Sequence, residues 1–308
     1  MNTSRLLKIA TRQSVLALWQ AQHVAGRLRV LYPEGKVELL PLSTQGDRIL
    51  DRPLAAIGGK GLFLKELELA LLNGEADLAV HSMKDVPVVV TPGLRVDVVL
   101  ARGNPYDALL SRNGETLGQL APGARVGSSS LRRQAQLLAL RPDLLVLDLR
   151  GNIDTRVRKL QQGEYDAIIL ACAGLERLGM QQLVSETLQA PAWLPAVTQG
   201  AICVQYREDD HALAQLLRPL DDAATNVCAE AERLVSRQLG GSCQLPLAVF
   251  ARIESGQMRL DALVGTIDGK TMVRSSRTGA SADATDLAAE LARDLLQQGA
   301  DRIIAAYR

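Results

Sequence analysis

The 308-residue sequence predicts an α/β protein: two similar doubly wound lobes followed by a small α+β C-terminal domain with an antiparallel sheet. Three observations predict it. The first half alternates short apolar runs with amphipathic stretches, the pattern of helices that cross between parallel strands. That pattern then partly repeats. After about residue 220 the strands follow one another through short turns, which favours antiparallel pairing.

The elements follow in chain order. Residues 6–10 read as a strand, 14–31 as a helix, 37–43 as a strand, 62–72 as a helix and 76–82 as a strand. Between 48 and 61 lies a connection ending in Gly58, Gly59, Lys60 and Gly61, whose glycines lower the cost of unusual backbone angles, so a mobile loop is expected there. In the second pass, 125–127 opens a strand, 130–140 a helix, 144–149 a strand, 155–161 a helix and 167–171 a strand. The segment GEADLAV at 74–80 echoes GEYDAII at 163–169, each reading as a helix end, a turn and a buried strand. Pro105 and the stretch PAWLP at 191–195 read as the two crossings between lobes. Beyond them come a helix at 223–239, strands at 247–253, 259–264 and 271–277, and a covering helix at 283–298. The expected domains are a first lobe of 1–100 with 199–219, a second lobe of 105–194, and a C-terminal domain of 223–308.

Composition narrows the function classes. With 47% apolar residues and a net charge of +1, the chain is an ordinary globular protein, and no nucleic acid is expected as a partner. No apolar run approaches the ~20 residues that span a bilayer, and the first residues lack the apolar block of a secretory signal, so a cytoplasmic protein without a membrane partner is expected. Four cysteines, at 172, 203, 228 and 243, and three histidines, at 23, 81 and 211, are scattered, which indicates neither disulfides nor a metal site. No P-loop and no GxGxxG follows a strand, so no nucleotide cofactor is indicated. Trp19 reads as helix packing.

Candidate chemistry gathers at strand ends. IATRQS at 9–14 places Arg12 and Ser14 where a strand meets a helix, and unpaired backbone N–H groups there favour an anion. VGSSSLRR at 126–133 repeats the device with Ser128, Ser129, Arg132 and Arg133, followed by Arg150 and Arg156. A guanidinium matches a carboxylate in bidentate fashion, so the set suits a ligand with several carboxylates. Helix capping with surface arginines accounts for either segment alone equally well; two such segments at the same topological place favour anion binding, because open α/β sheets bind ligands at the carboxyl ends of their strands. HSMKDVP at 81–87 brings Lys84 and Asp85 to the same mouth, where the carboxylate either balances the cations or donates a proton and stabilises a developing cation. GGSCQ at 240–244 puts Cys243 in a loop, more accessible than a core cysteine, whereas Cys172, Cys203 and Cys228 read as packing residues.

The segments IATRQS, GGKGLFLKELE, AVHSMKDVP, VGSSSLRRQ, LRGNIDTR and GGSCQLP together resemble the porphobilinogen deaminase family, in the family's order and over essentially the whole chain. The resemblance implies that Cys243 forms a thioether to a dipyrromethane primer made from two porphobilinogen units. Each further porphobilinogen then loses ammonia and joins the growing chain. After four additions, hydrolysis releases the distal four rings as hydroxymethylbilane. It implies further that Arg12, Ser14, Lys84, Ser129, Arg132, Arg133, Arg150, Arg156 and Arg177 hold side-chain carboxylates, with Ser128 beside them. Asp85 then contacts pyrrole nitrogens, assists loss of ammonia and stabilises the cation. The chain is expected to act as a monomer on its small-molecule substrate, with the loop at Gly58, Gly59 and Lys60 moving as the product grows. Two positions depart from the family pattern: Thr198 stands where glycine is usual, and Gln45 where a basic residue is common. A two-lobed module resembling periplasmic binding proteins would also explain the paired lobes, but leaves Asp85 and Cys243 without a role. A cysteine-nucleophile acyl transferase would need a base near Cys243, and no histidine lies near it in sequence.

Overall fold

The computed structural model describes residues 6–44, 64–241 and 245–307. They form two compact units, 1–102 with 201–226 and 103–200 with 227–308.

In the first unit, β1 (Leu6–Arg12), β2 (Lys36–Leu42), β3 (Leu78–Ser82), β4 (Leu94–Val99) and β10 (Ile202–Arg207) form one sheet in the order β2-β1-β3-β10-β4. β1 pairs parallel with β2 and β3, and β10 pairs antiparallel with β3 and β4. Strand periodicity decides which helix covers which face. Ile9, Leu78 and Val80 point to α1 (Val15–Leu31), whose Ala21, Val24, Ala25 and Leu28 recur at helical spacing. Their neighbours Ala10 and Ala79 point the other way, to Leu67, Ala70 and Leu71 of α2 (Lys65–Leu72). A strand buried on both faces reads as a continuous apolar run, as Leu78, Ala79 and Val80 of β3 do, whereas β1 and β2 keep Lys8, Lys36 and Glu38 exposed.

The second unit repeats the plan. β5 (Asp107–Ser111), β6 (Arg125–Gly127), β7 (Leu145–Leu147), β8 (Ala167–Ala171) and β9 (Glu186–Leu188) are ordered β7-β6-β8-β5-β9. Leu109, Val126 and Ile169 pack on Leu137 of α3 (Leu131–Leu140), while Ala108, Leu110, Ile168 and Leu170 pack on Val157 and Leu160 of α4 (Ile153–Gln161). α5 (Cys172–Arg177) follows β8 directly, and in the first unit α6 (His211–Leu217) follows β10. The remainder carries α7 (Ala223–Gln238) and a sheet of β11 (Leu247–Glu254), β12 (Gln257–Gly265) and β13 (Met272–Ala280), all antiparallel. α8 (Ala284–Gln297) lays Leu287, Ala288, Leu291, Ala292 and Leu295 on Met258, Leu260, Ala262 and Val264 of that sheet, and α9 (Ala300–Ala305) adds Ile303 and Ile304.

The sequence echo reappears as matching hydrogen bonds. Gly74 and Gly163 both take positive φ, 73° and 79°, as helix-ending glycines do. Asp77 donates its N–H to Lys8 O at 2.9 Å and accepts Lys8 N–H on Oδ2 at 2.8 Å; Asp166 does the same with Arg125 at 2.9 and 2.8 Å. One clasp thus fixes the register of β3 on β1, and its counterpart that of β8 on β6.

Two differences from the sequence reading stand out. Strands β4, β5, β9 and β10 escape periodicity: β10 is buried along ICVQY, so it shows no alternation, and its pairing makes the first sheet mixed rather than parallel. The chain changes units at 102/103 and 200/201, a few residues from the prolines that mark crossings in the sequence, and again at 226/227.

Thr198 lies in the second of these stretches with φ of 57°, in the left-handed region that glycine enters freely and a β-branched residue rarely does. Its N–H donates to the buried Glu232 carboxylate at 2.5 Å, and the other oxygen of Glu232 accepts from Ala251 N–H at 2.8 Å. The family's usual glycine therefore suits this backbone better than threonine. Thr198→Gly is expected to relieve about 2 kcal/mol of strain against about 1 kcal/mol of glycine entropy, a net gain of about 1 kcal/mol in urea unfolding. A loss of stability in that variant would show that the backbone carries no such strain.

Candidate active site at the strand ends

In the first unit the C-terminal ends of β1 and β3 border a pocket lined by Arg12, Ser14, Gln20, His81, Ser82 and Asp85, among others. Three of the expected site residues thus come together. Ser14 ends the extended segment and caps α1, its Oγ accepting from Ala17 N–H at 3.4 Å, so the capping role is real and coexists with a place in the pocket. Asp85 closes the 3-10 turn Met83–Asp85 that follows β3 and is exposed, while Lys84 beside it is half-buried. Gln20 went unremarked in the sequence. It is buried and donates Nε2–H to Ser82 Oγ at 2.8 Å. Its one sequence signal is an amide on the otherwise apolar stripe of α1.

The second unit places its candidates in two groups. Ser128 and Ser129 lie between β6 and α3. Ser129 Oγ donates to Leu149 O and accepts Leu149 N–H, both at 3.0 Å, which fixes the turn just before Arg150. Arg156, in the first half of α4, donates Nε–H to Gly151 O at 2.7 Å, so it bends back to the same turn. Arg177, at the end of α5, donates to Gly200 O at 2.6 Å, and burial lowers its pKa to about 10.

Arg132 and Arg133 are not the surface arginines that sequence alone allows. They are 4% and 7% exposed and converge on Asp107, which is fully buried at the start of β5. Arg132 Nη1 reaches Oδ2 at 2.7 Å and Arg133 Nη2 reaches Oδ1 at 2.6 Å. Trp193 Nε1–H and Gln199 Nε2–H complete the carboxylate's shell at 2.8 and 2.9 Å. Burial alone would push the Asp107 pKa up, but the two guanidiniums outweigh it and hold the carboxyl well below the usual range. Two cations against one anion leave the cluster net positive at the head of α3, where the helix dipole adds to the attraction for an anion.

Cys243, Gly58, Gly59, Lys60 and Gln45 lie outside the described residues. Cys172, Cys203 and Cys228 are buried, as packing residues are, and burial pushes the Cys172 thiol up to about 11. Trp19 stacks on His23 and packs against the first-unit core. Among the described residues no cluster of three or more His, Cys, Asp or Glu could hold a metal ion, and no helix is long and apolar enough to cross a membrane.

Two sheet-plus-helix lobes of matching strand order define a class, the two-lobed α/β proteins. The chain belongs, within it, to the porphobilinogen deaminase family. Residues 7–215 match the domain described as "Porphobilinogen deaminase, dipyromethane cofactor binding domain" and 226–297 the "Porphobilinogen deaminase, C-terminal domain". The porphobilinogen deaminase of Xanthomonas axonopodis pv. citri is 52% identical over 299 residues, covering 97% of this chain and 98% of its own. That of Stenotrophomonas maltophilia is 53% identical over 298 residues, with the same coverage. Among solved structures, the VFT2 domain of Bordetella pertussis BvgS aligns with a TM-score of 0.41 and 14% identity, over 69% of this chain and 84% of that one. A probable amino-acid ABC transporter extracellular-binding protein of Bacillus subtilis aligns with a TM-score of 0.44 and 11% identity, over 70% and 90%.

Proposed function

We propose that this chain is the transferase of tetrapyrrole biosynthesis that deaminates four porphobilinogen molecules, joins them head to tail on a covalently held dipyrromethane and releases hydroxymethylbilane by hydrolysis. The observation that carries this reading is Asp85 beside Arg12 in one strand-end pocket, in a chain that matches the family along nearly all its length.

The donor set suits the group. Each pyrrole of this chemistry bears an acetate and a propionate, and guanidiniums are their best partners. Arg132 Nε is buried and has no hydrogen-bond partner among the described residues, a donor left over in an anion-seeking cluster. Bound dipyrromethane supplies the terminal pyrrole carbon to which new units are added, and Cys243 is the proposed point of attachment. Arg12, Ser14 and Lys84 in the first unit, and Ser128, Ser129, Arg132, Arg133, Arg150, Arg156 and Arg177 in the second, are the proposed carboxylate holders. Asp85 accepts pyrrole N–H bonds and sets a negative charge beside the cation that develops as ammonia leaves, where a preplaced charge lowers the barrier. The proposed domains are 1–100 with 199–219, 105–194 and 223–308, the last carrying the cofactor cysteine. The proposed setting is a cytoplasmic monomer with neither nucleic acid nor membrane as partner.

The test is the intact mass of the denatured protein before and after incubation with porphobilinogen, with peptide mapping. An increment of two linked pyrroles on the Cys243 peptide, lost in Cys243→Ala, is expected together with consumption of porphobilinogen. No adduct and no consumption would favour the binding module.

A further inference from the structure

A chain of hydrogen bonds runs from α2 to the pocket of the first unit and fixes the state of His81. Glu68 on α2 accepts Thr91 Oγ1–H at 2.8 Å and Gln205 Nε2–H at 2.9 Å. A carboxylate can only accept, so the amide NH2 of Gln205 has to face Glu68. The amide oxygen then faces His81 Nε2, 3.0 Å away, and because it too can only accept, Nε2 must carry the hydrogen. His81 is 6% exposed, and burial lowers its pKa to about 4, against the Gln205 bond and with help from the charge of Arg12. The ring is therefore neutral near pH 7, and its other nitrogen, Nδ1, is a bare acceptor. Arg12 and Asp85 line the same pocket as the ring, and Glu68 lies at the far end of its network.

We propose that His81 Nδ1 is a fixed hydrogen-bond acceptor for an N–H of the incoming pyrrole, and that Gln205 and Glu68 are positioning residues that hold the ring in this tautomer. The inference rests on porphobilinogen as substrate and deepens that reading. Arg12 suits the carboxylates of such a ligand and Asp85 takes the ring N–H, which leaves the N–H bonds of its aminomethyl group in need of an acceptor. An imidazolium in the same place would repel the substrate's ammonium; a neutral ring with hydrogen on Nε2 does not.

The chain has three histidines, so 15N-edited imidazole spectra can be assigned by substituting each in turn. The wild-type protein is expected to show the Nε2–H pattern for His81 from pH 5.5 to 8. Glu68→Met frees Gln205 to turn its NH2 toward the ring, which should convert His81 to the Nδ1–H form and lower kcat/KM for porphobilinogen by roughly 10- to 100-fold. A purely structural role for Glu68 would not move the tautomer. Independently of that variant, His81→Asn keeps an acceptor near the Nδ1 position and is expected to retain more kcat/KM than His81→Gln, which mimics Nε2. An Nδ1–H pattern in the wild type, a tautomer change in Glu68→Met without loss of rate, or equal losses in the two His81 variants would each overturn the proposal. A wild-type protein inert toward porphobilinogen would instead sink the functional reading, with the tautomer still measurable.

Discussion

Asp85→Asn is expected to lower kcat on porphobilinogen by roughly 10²- to 10⁴-fold, the range for losing a positioned acid or charge partner. Asparagine keeps the shape of the side chain but carries no negative charge. Asp85 is exposed and ends a short 3-10 turn whose backbone bond, Val86 N–H to Met83 O, does not use the carboxylate. The fold should therefore lose no more than about 0.5 kcal/mol, as surface changes usually do. Binding of the pyrrole should persist through Arg12, so the loss belongs in kcat more than in KM. Steady-state kinetics with urea unfolding of the same preparation separates the two effects. Near-normal turnover would remove Asp85 from the chemistry.

The Asp107→Asn variant is expected to lose about 3–5 kcal/mol of stability, because it strands two buried guanidiniums that now share one carboxylate. Asparagine can still accept from one or two donors, but it adds no charge and brings an NH2 among four donor groups. Trp193, whose indole N–H donates to Asp107, gives a local fluorescence signal for the disturbance. The pH dependence follows from the depressed pKa of Asp107. A carboxyl held lower in the folded than in the unfolded chain contributes stability above its unfolded value, about 4, and loses it as pH falls toward the folded value. The gap between wild type and Asp107→Asn should thus be constant from pH 5 to 8 and shrink below about pH 4. An equal urea midpoint for both proteins at pH 7 would show that the arginines are satisfied without the charge.

Local pattern made much of this legible and long-range pairing hid the rest. Strands 125–127 and 167–171 agree with the structure to the residue: the second is a short apolar run, and the first follows the turn residues Pro122 and Gly123. The repeated lobe was readable from the echo of GEADLAV in GEYDAII, which sets a helix-ending glycine and a turn aspartate at matching places, although the clasps of Asp77 and Asp166 reach 69 and 41 residues back along the chain. Asp107 had no such signal: its partners are 25, 26, 86 and 92 residues away. The same holds for His81, whose state depends on Gln205, 124 residues further on. Arg132 and Arg133 look like surface charges in sequence because nothing near them announces an anion.

The shell of Asp107 also imposes an order on synthesis. Two of its donors, Trp193 and Gln199, belong to the stretch by which the chain leaves the second unit, and Gln199 is made 92 residues after Asp107. At ribosomal speeds of about 5–20 residues per second, that interval is roughly 5–18 s. Within it the carboxylate gains the two arginines of α3 after 25 and 26 residues and Trp193 after 86, with Gln199 last. The lobe is locked from its own exit, so a nascent chain halted before residue 199 leaves the shell of this carboxylate incomplete.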